Sequence, residues 1–412
     1  MPSDYSAIND MGEAGSDPRR RLLALRFVIL IGILSFFADF TYEGSRSIVG
    51  PYLATLQASG TAVGVVTGFG ELLGYGLRIF TGRWSDLSGR YWPITIFGYV
   101  IQMAAVPALA LATNWPTVAV LIILERIGKA IRNPPRDAML SHAGKQIGGY
   151  GWAFGLHEAL DQFGAMFGPL AVAAILAWSG GYREAFAVLL IPAIINLILV
   201  GLARVLYPKP EDMEAPPPVN GAFRLPIVFW VYLMGAALVA AGFADYPIIA
   251  YHFAQKDAVT SQWIAVFYSV AMAVSGVGSL ALGRLFDRFG FTTLLVLTII
   301  TASFAPLVFL GGFWLALIGA AIWGLGMGVH ESIIPAAVSP MVPSQRRATA
   351  FGAFTAGYGI FWFVGSAAIG VLYDTSLIGL IAFCVVVQLL AAFVFWWVGR
   401  QATHATRTTI QA

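Results

Sequence analysis

Gly82-Arg83-Trp84-Ser85-Asp86-Leu87-Ser88-Gly89-Arg90 closes one long apolar run, and its pattern returns 201 residues later as Gly283-Arg284-Leu285-Phe286-Asp287-Arg288-Phe289-Gly290. In each copy the glycines permit a tight turn between closely packed elements. The aspartate between them is placed to accept bonds from basic groups or from a helix N-terminus. Two further echoes keep the same order: Phe37-Ala38-Asp39 with Phe243-Ala244-Asp245, and Ala153-Phe154-Gly155 with Ala350-Phe351-Gly352. Their offsets of 206 and 197 residues bracket the first, so the register drifts little across half the chain and points to a duplication.

The runs that these turns separate are long and apolar. The 412 residues are 58% hydrophobic and 11% charged, whereas soluble domains carry about 25% charged residues. A spanning helix needs about 20 mostly apolar residues. Twelve such segments are expected, at 25–55, 62–82, 92–113, 117–138, 150–178, 184–206, 226–254, 262–284, 291–311, 314–338, 348–373 and 377–399. Interior prolines such as Pro107, Pro169, Pro192 and Pro306 are compatible with membrane helices, where neighbours and water satisfy the freed backbone groups. Runs of this length exclude a transmembrane β-barrel. The single cysteine, Cys384, excludes a disulfide framework, and a net charge of +3 gives no footprint for nucleic acid. Met1 to Pro18 is polar, so no cleavable leader is expected.

The proline-rich stretch 207–225 is the one long polar interior segment and divides the chain into six spans plus six. The expected organisation is a tail at 1–24, a helical bundle at 25–206, a linker at 207–225, a second bundle at 226–400 and a tail at 401–412. With the N-terminus inside, the inner loops collect Arg19, Arg20, Arg21, Arg83, Arg90, Lys209, Arg284, Arg346 and Arg347, among others, while the outer loops receive only Arg183 and Lys256. Lysine and arginine gather on the cytoplasmic side. Both termini are therefore expected in the cytoplasm, with the chain in the cell's inner membrane.

The loop Gly82-x-x-x-Asp86-x-x-Gly89-Arg90, echoed at Gly283 and Asp287, resembles the signature loop of the major facilitator superfamily. That resemblance covers the whole chain. It implies an all-α membrane protein of twelve helices in two pseudo-symmetric six-helix bundles, with the loop latching the halves in one state. Gly164-Ala-Met-Phe-Gly168-Pro169 resembles the motif of proton-coupled drug antiporters, although Val172 and Ala173 replace its trailing glycines. Small residues four apart also let helices pack closely. Arg126 followed by Gly128 resembles the fourth-helix antiporter motif, with Lys129 as a departure, and Arg132-Asn-Pro-Pro-Arg136-Asp-Ala resembles a stretch of many bacterial permeases.

Ionisable groups inside a bilayer are costly and usually face a cavity or a partner. Asp39, Glu43 and Arg46 share one face of the first helix, where Glu43 is placed to neutralise Arg46. Arg126 stands about 15 Å from its helix end and is expected to meet an anionic substrate group or an acid such as Asp39 or Asp161. Glu125 and Lys129 form an i, i+4 pair. Glu71 and Arg78 are expected in a network with the signature loop. The expected proton-handling groups are Asp39, Glu43, Glu158 and Asp161, and the expected substrate-facing groups are Tyr42, Arg46, Arg126, His157, Asp245, Tyr246, His330, Glu331 and Trp362.

These residues point to a monomeric secondary transporter that exports a small amphipathic or charged solute in exchange for protons, within lipid and without a cofactor. Import of a sugar or organic acid is the alternative within that class. Transition-metal export is another, because His157, Asp161, His330 and Glu331 are suitable ligands, although no resident metal is expected. No nucleophile constellation, phosphate loop or complete zinc motif suggests an enzyme, and a membrane receptor is the remaining alternative. The topology is testable in a Cys384→Ser background. A cysteine at Lys256 is expected to react with an impermeant thiol reagent outside intact cells while one at Arg347 stays unlabelled, and the reverse pattern overturns the orientation.

Overall fold

The structure, a computed structural model, describes residues 18–144, 147, 150–209, 225–334, 337–338, 341 and 347–411. Its regular elements are all helical: α1 Pro18–Thr55, α2 Gly60–Ser88, α3 Tyr91–Ala108, α4 Trp115–Gly144, α5 Tyr150–Ser179 and α6 Tyr182–Leu206 in the first half. The second half holds α7 Ile227–Gln255, α8 Ser261–Phe289, α9 Phe291–Leu310, α10 Phe313–Glu331, α11 Arg347–Thr375 and α12 Leu377–Gln411. Among the described residues, eleven of these are long and apolar enough to cross a membrane. The twelfth is α4, 30 residues long and interrupted by Glu125, Arg126, Lys129 and Arg132. The chain is an all-α, twelve-helix protein built as two six-helix bundles.

Helix limits agree with the apolar runs to within several residues, with α1 starting earlier, at Pro18, and α12 running on to Gln411. Most of the expected linker, 210–224, and most of the first tail lie outside the described residues, as do the side chains of Asp86 and Asp287 and the surroundings of Gly283. The helices are less continuous than the apolar runs suggest. The seventh breaks between Ala241 and Tyr246, the sixth is interrupted at Leu189 and the ninth at Ser303. The tenth passes into a π-helical turn at Val329–Ile333.

Glycine sets how closely the helices approach. A Cβ on Gly164 would collide with the Phe36 backbone of α1, and one on Gly168 with the Phe40 backbone a turn later, so the antiporter-like glycines seat α5 directly on α1. Gly98 and Gly128 do the same for α3 and α4: a Cβ on Gly98 would lie 2.7 Å from the Gly128 carbonyl oxygen. Between the halves, α2 packs along α11, α5 along α8, and α1 along the second piece of α7. Gly50 abuts the Pro247 carbonyl in the last of these seams. At the end of the molecule opposite the termini, the Tyr251 hydroxyl donates to the Ala58 carbonyl at 2.8 Å and Tyr182 meets Ser261 at 2.8 Å, so both halves contribute to closing that face.

The two signature turns are only two residues and one residue long, and each contains a glycine of positive φ. Gly89 has φ 62° and ψ 10°, and its N–H donates to the Ser85 carbonyl at 2.9 Å. Gly290 has φ 56° and ψ −135°, and its N–H donates to the Phe286 carbonyl at 2.7 Å. The first is a left-handed cap that asparagine tolerates, whereas the second lies in a region open essentially to glycine alone. Gly290→Asn is expected to lower the thermal stability of the detergent-solubilised protein by about 1–3 kcal/mol, and Gly89→Asn by clearly less. Equal losses would show that the two turns do not differ in this way.

Candidate functional site

In the interior of the first bundle, a buried carboxylate joins three helices. Glu71 of α2 accepts through Oε1 from Arg126 of α4 at 2.8 Å and from Arg46 of α1 at 3.3 Å. Gly70 makes this possible, since a Cβ there would stand 2.9 Å from Cγ of Arg126. The Arg46 guanidinium also donates to Asp245 of α7 at 3.1 Å, an ion pair that crosses from one half to the other. Asp245 occupies the N-cap position where α7 restarts, yet its side chain makes no cap bond. Its second oxygen accepts instead from Trp362 and Ser366 of α11, each at 3.2 Å. The Tyr42 ring lies under Lys129 at 3.8 Å and under Arg126 at 5.0 Å, attracting both cations to its π face. A cavity of about 30 Å³ between Tyr42, Arg46, Thr67, Glu125, Arg126 and Pro247 has room for roughly two waters.

A second relay runs along α4. Arg132, fully buried, meets Asp39 at 3.5 Å, donates to Gln102 at 2.6 Å and to the Tyr99 hydroxyl at 3.2 Å. Gln102 passes the contact on by donating to Glu125 at 2.9 Å. The Gly98–Gly128 crossing brings α3 near enough for Tyr99 and Gln102 to reach these partners. Lys129 stands 4.0 Å from Asp39.

The third group lies between α5 and α10. His157 Nε2 is 2.7 Å from the Ser35 hydroxyl, which also accepts from Arg136 at 3.1 Å. Ligand-type atoms of His157, Glu158 and Asp161 lie within 4.8 Å of one another and offer one nitrogen and two carboxylates to a cation. Gln162 donates to Glu158 at 3.1 Å and across the seam to Glu331 at 3.3 Å. Glu158 and Glu331 are solvent-exposed, while Oδ1 of Asp161 is buried without a hydrogen-bond partner. On the α10 π turn, a type of distortion frequent at functional sites, His330 Nδ1 bonds the Tyr358 hydroxyl. Its ring packs at 4.4 Å on Phe243 and 5.2 Å on Trp362, and Nε2 is buried without a partner.

Several expected pairings are different in three dimensions. Glu43 takes the Tyr268 hydroxyl of α8 at 2.5 Å, and Arg46 turns to Glu71 and Asp245. Arg126 reaches Glu71 and Glu125 in place of Asp39 or Asp161. Glu125 is held by Arg126 and Gln102, leaving Lys129 to Asp39. Glu71 belongs to the centre of the bundle, and Arg78 stacks over Tyr75 at 5.3 Å. Tyr246 spends its hydroxyl on the Ile264 carbonyl at 2.6 Å. Neighbouring helices decide these partners, because a side chain on an adjacent helix can lie nearer than one a turn away. Tyr268, Gln102 and Ser35 carry no local signal that would have placed them in the site, whereas Arg132 and Arg136 stand out as charges within a span. Gln162, one turn beyond Glu158 on a face already rich in charge, stands out as well.

The five cations that form ion pairs among the described residues, Arg46, Arg126, Lys129, Arg132 and Arg136, all belong to the first half. Buried charge at the seam between two homologous helical bundles is the construction of a multi-pass solute transporter. The model of the Major Facilitator Superfamily matches residues 30–305 and 246–411, and the chain belongs to that superfamily. It is 40% identical over 380 residues to an uncharacterised protein of Mycobacterium tuberculosis, covering 90% of this chain and 93% of that one. It is 26% identical to an MFS-type efflux pump of Mycolicibacterium smegmatis, over 91% of this chain and 90% of the other. Among solved structures it resembles the nucleoside transporter NupG, with a TM-score of 0.72, 14% identity and coverage of 90% and 99%. It also resembles a peptide transporter, POT, bound to sulfate, with a TM-score of 0.73, 14% identity and coverage of 93% and 95%. The chain is a secondary transporter rather than an enzyme.

Glu71→Gln removes the charge shared by two buried guanidinium groups and is expected to destabilise the detergent-solubilised protein by about 3–5 kcal/mol, the usual penalty for breaking a buried pair. Glu158→Gln, at an exposed position, is expected to stay within about 0.5 kcal/mol of the parent. Thermal unfolding of the two variants side by side checks the contrast, and equal stability would remove Glu71 from its structural role.

Proposed function

We propose that the chain exports a small cationic or amphipathic solute in exchange for protons, by alternating access of a central cavity to the two sides of the membrane. One observation carries this reading. Among the described residues the central guanidinium groups of Arg46, Arg126, Arg132 and Arg136 each have a carboxylate partner, whereas Glu158, Asp161 and Glu331 have no cation within ion-pair distance. An anionic solute would have to displace Glu71, Asp245, Asp39 or Asp137 from these cations. A proton or an organic cation finds carboxylates without a paired cation, Glu331 standing next to His330, whose ring meets Tyr358 and Trp362. The similarity to an efflux pump favours export. The inner membrane with both termini in the cytoplasm, and a monomeric state, belong to the same proposal.

In this scheme Asp161, with Glu158 and Glu331 nearby, takes the proton in one state and gives it up in the other. Binding of the solute and of the proton to one acidic seam makes each lower the other's affinity, the reciprocal linkage that exchange requires. A second reading, transport of a divalent cation, rests on the mutual distances within His157, Glu158 and Asp161. The Arg136–Ser35–His157 chain weighs against it, because it holds a guanidinium close to the imidazole.

Ligands that prefer the folded protein raise its melting point. A thermal screen with ethidium and other organic cations, organic anions, sugars and Zn²⁺ is expected to show stabilisation by organic cations, lost in Glu158→Gln/Glu331→Gln. Stabilisation by an anion that depends on Arg126 would reverse the charge assignment, and stabilisation by Zn²⁺ alone would favour the second reading. With a cation identified in this way, Asp161→Asn in proteoliposomes is expected to abolish accumulation driven by a pH gradient yet preserve cation-for-cation exchange, which needs no proton cycle. Accumulation with the parent's pH dependence would make Asp161 structural.

A further inference from the structure

The first four N–H groups of a helix have no partner within it and must find one elsewhere. In α2 the donors of the first three helical residues are divided between the halves, while Val63 N–H closes the first bond of the helix itself. Ala62 N–H donates to the side chain of Ser59 at 3.1 Å and Val63 N–H to the Ser59 carbonyl at 3.0 Å, both local. Gly60 N–H and Thr61 N–H donate to Asp374, at 2.8 and 2.7 Å, and Asp374 belongs to the last turn of α11 in the other half. The Thr61 hydroxyl adds a third bond to the same carboxylate at 2.6 Å.

A carboxylate in the last turn of a helix opposes that helix's own dipole, whereas one at an N-terminus is favoured. Asp374 is therefore poorly placed for α11 alone and well placed only while the N-terminus of α2 sits against it. The first turns of the seam below it are built on small residues, and rings meet only deeper in, Phe69 against Phe363 at 5.9 Å and Tyr75 against Tyr358 at 5.6 Å. A Cβ on Gly64 would lie 2.9 Å from the Gly370 Cα, and one on Gly68 would lie 2.7 Å from the Ser366 Cβ, so backbone faces backbone over successive turns. The outer turns can part before these rings must repack, and Asp374 at the exposed end is where water can replace the bonds.

We propose that Asp374 is the clamp that holds the face opposite the termini closed, and that its release from Gly60 and Thr61 accompanies opening of the cavity to that side. This rests on the alternating-access reading above. It makes Asp374 a gating residue, acting through the position of α2 and remote from the acidic seam of α5 and α10.

The test needs no solute. Spin labels on cysteines introduced at Thr55 and Lys256, exposed positions of opposite halves at this face, are placed in a Cys384→Ser background. Double electron–electron resonance then gives the ratio of long to short distances. Loss of charge-assisted bonds is expected to raise that ratio roughly ten-fold in Asp374→Asn, with a smaller rise in Thr61→Val, which loses only the hydroxyl bond. Ratios unchanged in both variants overturn the proposal. The native thiol of Cys384, fully buried, reports unfolding in a parallel chain without other cysteines. If Asp374→Asn exposes it, Thr61→Val decides. Flux with an unmoved distance ratio sinks the clamp and leaves transport standing, while a moved ratio in a chain that carries no solute does the opposite.

Discussion

A bilayer makes isolated charge expensive, and the centre of this protein is organised around one carboxylate that meets the requirement for two cations at once. Glu71 lies between Arg46 and Arg126, and each of the three groups comes from a different helix. The pairing therefore ties α1, α2 and α4 to one another at a single point. Arg46 then extends the balance to Asp245 in the other half. The two halves are thus joined at the depth of the membrane by charge, and at the face opposite the termini by backbone contact. Buried ion pairs seldom add stability over a well-packed apolar equivalent, but breaking one is costly. That asymmetry suits a protein whose parts must meet in defined arrangements.

Duplication supplied the architecture, and divergence separated the chemistry of the halves. The first half contributes the paired cations. The second contributes Asp245 and Glu331, aromatic rings and irregular backbone. Phe37-Ala38-Asp39 and its echo Phe243-Ala244-Asp245 show how the divergence works. The first triplet lies within an unbroken helix. The second is followed by Pro247, which lacks an N–H for the helix ladder and crowds the carbonyl four residues earlier, and there α7 stops and restarts. The break turns Asp245 into an N-cap whose side chain reaches Arg46, Trp362 and Ser366.

Span number, the duplicated plan and the membership of Asp39, Arg46, Arg126, Asp161 and Asp245 in the charged interior were legible in the sequence, because a bilayer imposes length and rarity of charge on every helix. The partners were not. Reasoning along one helix pairs Glu43 with Arg46 and Glu125 with Lys129, since i, i+3 and i, i+4 spacing is the only proximity a sequence exhibits. Gly98 and Gly128 bring α3 to α4 closely enough that Gln102 reaches Glu125, and Glu43 is taken by Tyr268 of α8. Gly164 and Gly168 were visible as packing residues, but which backbone each would face was not. The break in α7 was signalled by Pro247, yet an apolar run reads through it because hydropathy averages over the proline.

The geometry also constrains where a solute can be accommodated. Between Tyr42, Arg46 and Arg126 the cavity holds about two waters, and its cations are already satisfied. On the other side of these groups, Glu158 and Glu331 remain in contact with solvent, linked across the halves through Gln162. That link is a pair of neutral-donor hydrogen bonds to two carboxylates that repel each other, so a charge that neutralises either acid changes the energy of bringing α5 and α10 together. Under the proposed exchange, a proton and a cationic solute act on this same balance. Each draws the seam closed, and the unloaded acids favour its separation. Coupling then needs no long-range pathway between distant sites, because the groups that bind the cargo are the groups whose repulsion sets the distance between the halves.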